Sequence, residues 1–237
     1  MKSRTHGLAT TLHKWIALVV GVQLMLWTAS GLFMTIFPIE QVRGEHLVKT
    51  APEVSLDKPF IMPDFDGEPV TGVALRMIGD RPVLVVSHPT RRMMHDPYSG
   101  DMIPAPGEAE IAALARAAYA GDEPVEAVTL ITKVAPSEWR GTLPVWQVRF
   151  AGADNLRFYM DADTGELLTR RTRLWRVYDF MWMLHIMDYQ GREDFNNWLV
   201  QAAAGLGLSV TLSGVLLLFY RMLRPKWRKR RIALTRT

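Results

Sequence analysis

The chain has 237 residues, a formal net charge of +4, 49% hydrophobic and 22% charged residues, and no cysteine. The length allows one or two modest domains, and the missing thiols exclude disulfides, zinc-thiolate sites, iron–sulfur clusters and cysteine nucleophiles within this chain. The basic excess is concentrated at one end, where Arg221, Arg224, Lys226, Arg228, Lys229, Arg230 and Arg231 follow an apolar segment; that is the pattern of a cytoplasmic membrane anchor rather than a nucleic-acid-binding face, so no nucleic-acid partner is expected.

Residues 1–14 carry Lys2, Arg4 and Lys14 and read as a short cytoplasmic N-terminus. Residues 15–37, WIALVVGVQLMLWTASGLFMTIF, contain no charge. As a helix they extend about 34 Å, enough to cross a hydrocarbon core about 30 Å thick. A cleaved signal peptide fits poorly, because Phe37-Pro38-Ile39-Glu40 follows instead of a small-residue cleavage site.

Residues 38–172 are expected to form the extracytoplasmic domain. Residues 40–65, with prolines and acidic side chains, read as an irregular lead-in. Residues 81–87 alternate like a strand, 88–91 turn, 92–96 return, 97–100 turn again and 101–103 run on. Residues 108–120, EAEIAALARAAYA, have strong helix formers with apolar side chains at helical spacing. A strand follows at 125–134. A second hairpin then occupies 143–150 and 156–160, with turns at 151–155 and 161–165 and a closing segment at 166–168. Pro-Val opens both units, at Pro82 and Pro144, and Asp-x-x-(Ser/Thr)-Gly closes both, at Gly100 and Gly165. Two copies at nearly one spacing predict an internal duplication, about 66–104 and 108–169.

Residues 173–197 are expected to lie at the interface, as a helix over 174–189 and a turn over 191–197. A second charge-free span follows at 198–220, WLVQAAAGLGLSVTLSGVLLLFY, and the basic tail occupies 221–237. Thr28-Ala29-Ser30-Gly31 in the first span is echoed by Thr211-Leu212-Ser213-Gly214 in the second, with Gly205 and Gly207 nearby; small residues of this kind let membrane helices pack closely. The expected fold class is membrane α plus α+β, with two transmembrane helices flanking a duplicated antiparallel-sheet and helix domain. Lysine and arginine at the outer ends of both spans place both termini in the cytoplasm. The Arg170, Arg171, Arg173, Arg176 run argues the other way, but long translocated loops obey the charge rule weakly. Trp15, Trp175, Trp182 and Trp198 fall near the expected interfaces.

Among six histidines, His6 and His46 lie in polar stretches and read as solvated. His88 and His95 fall on the first hairpin without a recognised metal-ligand spacing and also read as solvated. Asp161, Asp163 and Glu166 lack the twelve-residue calcium-loop pattern, and Asp163-Thr164-Gly165 reads as an ordinary turn. No phosphate loop, zincin helix or serine-nucleophile elbow occurs, so no catalytic residue and no metal site are assigned. His13 stands at one edge of the first span. His185 stands within Phe180, Met181, Trp182 and Met183 before the second. An ionisable group at an apolar membrane site points to function; the plainer readings are that His13 ends the span at the headgroups and that His185 bonds Asp188 one turn on.

A helix followed by a hairpin closing on Asp-x-x-x-Gly resembles the PepSY domain. Leu12-His13-Lys14-Trp15 opening the first span, a Ser-Gly within it and Leu184-His185 before the later span resemble the PepSY-associated transmembrane family, over most of the chain. Some longer members are similar to inner-membrane haem-binding ferric-siderophore reductases with four spans. The resemblance implies a bacterial inner-membrane protein, its central domain periplasmic, taking part in haem-b-dependent electron transfer to ferric-siderophore iron. His13 and His185 are then candidate axial ligands, with Trp182, Met183 and Trp27 as candidate pocket walls. The two histidines fall on opposite sides of the bilayer, so each haem needs a second ligand from a homodimer partner or another membrane subunit. The alternative is a non-enzymatic, membrane-anchored module recognising a periplasmic partner or peptidase.

Overall fold

The computed structural model describes residues 2–56, 58–65 and 67–234, with side chains over 14–216, 218 and 219 apart from those two gaps. His6, His13 and the basic residues beyond 220 lie outside the described side chains. The chain divides into two units, residues 37–177 and residues 1–36 with 178–237.

The first unit opens with α2 (Ile39–Val42) and a 3-10 turn (Glu45–Leu47), following helix α1 (Lys2–Ile36) of the second unit. The expected irregular lead-in is therefore partly helical. Its chain then runs alongside the end of α3 (Glu108–Ala118), where Lys49 N–H donates to Ala118 C=O at 2.9 Å and Ala120 N–H donates to Leu47 C=O at 3.0 Å.

Two four-stranded antiparallel sheets follow, each strand pairing with its neighbour in sequence. The first contains β1 (Gly72–Ile78), β2 (Arg81–Ser87), β3 (Arg92–His95) and β4 (Met102–Ile103). Its first strand is absent from the sequence-based expectation, because GVALRMI interrupts its apolar residues with Arg76 and gives no clean alternation. Strand β2 departs from expectation in another way. Val83 and Val85 on one face and Leu84 and Val86 on the other are all buried, so the alternation read from RPVLVVS does not correspond to a wet face.

The second sheet contains β5 (Val125–Ile131), β6 (Val145–Phe150), β7 (Arg157–Asp161) and β8 (Leu167–Arg171). One of its faces is covered by α3, whose Ile111 and Ala115 pack against Val148, Phe150, Phe158 and Met160. The other face carries Trp139, stacked on Tyr159 with centroids 5.1 Å apart. Helix α3 has Glu108 and Glu110 in its first turn and Arg116 in its last, charges that complement the helix dipole. It ends at Ala118, two residues short of the expected 120, because Tyr119 turns extended and buries its ring against Phe150 at 4.5 Å.

The Asp-x-x-(Ser/Thr)-Gly turns form the same hydrogen bonds in both sheets. Asp96 Oδ1 accepts from the amides of Tyr98 and Ser99, and Asp161 Oδ1 from those of Asp163 and Thr164. Each turn ends on a left-handed glycine, Gly100 at φ +78° and Gly165 at φ +74°. A carboxylate holding two amides, followed by a residue free to adopt positive φ, is what this sequence supplies at both places.

In the second unit, α1 and α5 (Trp198–Leu234) are long helices containing apolar stretches at Lys14–Ile36 and Trp198–Leu216. Only 11% and 6% of these stretches are buried within the protein. Such surfaces would be untenable in water and are at ease in lipid. The end of α4 (Arg173–Ile186) completes this unit. Expected to continue to 189, α4 stops at Ile186 because Met187 adopts φ +56°. Asn197 then serves two helices, its amide donating to Ile186 C=O at 3.0 Å and its carbonyl accepting Val200 N–H at 3.0 Å. It caps the end of one helix and the start of the next.

Candidate functional site

The membrane unit brings one predicted site residue into a defined geometry. Ser30, only 1% exposed, lies on α1 with its hydroxyl donating back to Leu26 C=O at 2.7 Å. His185 Nδ1 lies 3.0 Å from the same oxygen. A serine hydroxyl has one proton; with that proton on the Leu26 carbonyl, the oxygen accepts and His185 donates through Nδ1–H. The imidazole is thereby set in the tautomer that leaves Nε2 with a bare lone pair. A hydrogen bond at one ring nitrogen fixes which nitrogen remains for a ligand or proton. Gly31 lies against the same ring, where a Cβ would stand in ordinary contact, 3.5 Å from His185 Cε1. The plainer reading of His185, a bond to Asp188 one turn on, does not match its contact with Ser30. Asp188 faces the loop that follows α4, where its carboxylate accepts amides from Gln190, Gly191, Glu193 and Asp194.

Around His185, Met183 and Ile186 are buried and Phe33 lies 6.5 Å from Tyr178, centroid to centroid. Trp182 Nε1–H donates to Arg192 C=O at 3.1 Å, and Arg192 Nη1 reaches the buried carboxylate of Asp179 at 2.6 Å. This charge pair ties the loop after α4 back onto the helix. The sequence contains its signal, an aspartate within an apolar stretch, but nothing in the spacing identifies Arg192 as the partner.

Trp27 faces a pocket whose lining includes neither Trp182 nor Met183. It lines a cleft of about 620 Å³ between α1, Met187 and the start of α5, walled by Val20, Leu24, Trp198 and Ala202 among others. Residues 20, 23, 24 and 27 line the cleft, and Ser30 and Gly31 continue the same helical face to His185. The cleft therefore ends one turn of α1 short of the imidazole. His13 also lies on α1, 17 residues before Ser30, a separation of about 26 Å along an unbroken helix. One iron cannot be shared between those two levels of the helix.

In the sheet unit, His88 and His95 are not solvated as expected. Each donates through Nδ1 to a backbone carbonyl, Pro69 and Gly100 respectively, both at 3.1 Å, and both side chains are largely covered. The carboxylates of the second glycine turn are engaged as well. Arg92 pairs with Asp161 and Glu166 while its amide donates to Asp163. No cluster of three or more metal-ligating side chains occurs among the described residues.

A polar constellation that the sequence does not announce surrounds Glu138, in the connection between β5 and β6. Arg176 reaches it at 2.6 Å, Arg157 at 2.9 Å and the Tyr159 hydroxyl at 2.7 Å. Burial opposes its charge, but the hydrogen bonds from Arg176 and Tyr159 and the nearby guanidinium charges outweigh burial and hold its carboxyl below the usual range. Tyr159 is pushed the other way, upward, by burial and then by Glu138. Trp175 lies beneath Arg171, 4.0 Å from the guanidinium carbon to its ring centroid. The cluster anchors the first turns of α4 to the second sheet.

The family model described as PepSY-associated TM region matches residues 10–236. No curated protein matches the chain significantly, and no solved structure does.

Proposed function

Since the chain belongs to the PepSY-associated transmembrane family and is a membrane protein with a PepSY domain, we propose that it takes part in transmembrane electron transfer, as a haem-b-dependent reductase, or reductase subunit, for ferric-siderophore iron. In this reading it resides in a bacterial inner membrane with both termini cytoplasmic and the sheet unit, an internal duplication, periplasmic. Lys14 and the C-terminal arginines at the cytoplasmic ends support that orientation. The observation that carries the reading is the Ser30–His185 bond, which engages Nδ1 and leaves Nε2 as the nitrogen that would hold haem iron.

Haem, when bound, supplies the one-electron chemistry. The residues of this chain hold and shield it: Ser30 keeps the His185 ring in one tautomer and orientation, and Met183 and Ile186 keep water from its base. No second described imidazole stands beside His185 in its unit, so each chain contributes one ligand there and a homodimer supplies the second. His13 belongs to a separate, cytoplasmic-side site in the same dimer.

The test is the absorption spectrum of the full-length protein, purified in detergent from haem-supplemented cells. A Soret band is expected that shifts on reduction, loses the share held at His185 in His185→Ala, and vanishes when His13→Ala is added. A flat spectrum in every redox state overturns the reading and favours a non-enzymatic module that recognises a periplasmic partner. Tags at both termini should be reached by a membrane-impermeant label only after the cells are opened.

A further inference from the structure

Beside α1, two polar atoms have no hydrogen-bond partner among the described residues: Gln23 Nε2 and Trp27 Nε1, both buried. Both residues line the same otherwise apolar cleft. They are four positions apart, so they lie on one face of α1, one turn above the other. An N–H group left unpaired in hydrocarbon costs several kcal/mol, and polar side chains within a span are retained for a partner or a ligand.

Depth narrows the ligand. The apolar stretch of α1 runs from Lys14 to Ile36. Gln23 is nine residues from its start and Trp27 nine from its end, about 14 Å from each. The two donors therefore flank the bilayer midplane. Phospholipid ester carbonyls stay near the edges of the roughly 30 Å core, out of reach of this level. Water is scarce there. A carboxylate would lose too much solvation to reach it. A second copy of the chain would have to insert a polar group between α1 and the start of α5, where both donors are buried. What remains is an uncharged molecule that dissolves in hydrocarbon and presents carbonyl oxygens on a flat ring.

We propose that the cleft is a binding site for a membrane quinone, with Gln23 and Trp27 donating to its headgroup carbonyls and the tail lying along Val20, Leu24 and Ala202. Its volume of about 620 Å³ falls within the range of small-molecule pockets, about 300–1,000 Å³. The Gln23 amide turns about its last torsion, a soft one, to face the ring. The α1 face that lines the cleft leads within one turn to Ser30 and His185, so a bound headgroup lies beside the proposed redox site. The inference rests on the reductase reading for its purpose, since it names the class of electron donor, but not for its test.

Full-length protein in nanodiscs of phospholipid free of quinone is titrated with decylubiquinone, and binding is followed by quenching of tryptophan fluorescence. Saturable binding near one per chain is expected. Gln23→Leu and Trp27→Phe should each weaken it by about threefold to tenfold, the usual worth of one hydrogen bond, with the helical circular dichroism unchanged. Decylbenzene, which has the tail and ring but no carbonyl, should not compete. Equal binding by both variants, or competition by decylbenzene, would show a cleft that merely takes acyl chains and overturns the proposal. Loss of dimer rather than of quinone in Gln23→Leu assigns the donors to a second copy and also overturns it. A haem-free protein that binds quinone defeats only the reductase reading, and a haem-bearing one that ignores quinone defeats only this inference.

Discussion

Ser30 Oγ and His185 Nδ1, 155 positions apart in sequence, lie 3.0 Å apart in the membrane unit. Because the serine proton is already committed to Leu26 C=O, this contact selects the histidine tautomer. Ser30→Ala removes the acceptor and frees the ring to turn and to exchange tautomers. Haem affinity should fall by about tenfold to a hundredfold, the range found when the group supporting a ligating histidine is lost. The Soret titration measures this. Nitrogen NMR of labelled histidine should show an unprotonated Nε2 in the haem-free parent and a mixture in the variant.

Glu138 should be the most sensitive polar position of the sheet unit. Its side chain is 8% exposed and faces Arg157 and Arg176. Glu138→Gln leaves two guanidinium groups without their counter-charge and should cost about 3–5 kcal/mol at neutral pH. Its carboxyl is held below the ordinary value of 4.5, so the unfolded chain takes up its proton first as pH falls. The stabilisation is complete above that value and disappears as pH drops through the lowered one. Thermal melts of the two proteins should therefore differ widely at pH 7 and converge in acid.

Gly165 and Gly100 occupy equivalent turns but unequal surroundings. Both have positive φ, so alanine at either costs about 1–2 kcal/mol in backbone strain. At Gly165 the added Cβ would also stand 2.7 Å from Leu114 Cδ1 and 3.2 Å from Pro106 Cγ, whereas at Gly100 nothing comes nearer than 3.5 Å. Gly165→Ala should lower the melting temperature more than Gly100→Ala, and Leu114→Ala added to the former should recover part of the difference.

The loop after α4 depends on one carboxylate. Amides of Asp194 and Glu193, then of Gln190 and Gly191, lower the Asp188 carboxyl from 3.8 to about 2. Protection of these amides against hydrogen exchange, corrected for intrinsic rates, should be constant from pH 7 to 5. It should decline below the ordinary value as pH approaches the lowered one, the direction required of a depressed carboxyl. Asp188→Ala should lose protection throughout, while the amides within α5 keep theirs.

The membrane spans, both hairpins, the helix over α3 and the paired glycine turns were legible in the sequence, because each depends on local physics. Charge-free length, alternation, helical spacing and turn chemistry act over a few residues, and they are written where they act. Strand β1 escaped because Arg76 interrupts it, and its place is set by pairing with β2. His185 stood out because an imidazole among tryptophans and methionines is unusual, but its contact with Ser30 was not legible, and Asp188, the partner of the plainer reading, holds loop amides instead. Ser30, Gln23, Arg192 and Glu138 were unreadable as site or cluster residues, since each takes its meaning from side chains or a cleft supplied by distant segments. Sequence alone determined the two charge-free spans and the strands whose alternation and turns are local. Only the tertiary structure decided which polar atoms are paired, because a buried group's partner is chosen by proximity in space and by the cost of leaving it unsatisfied.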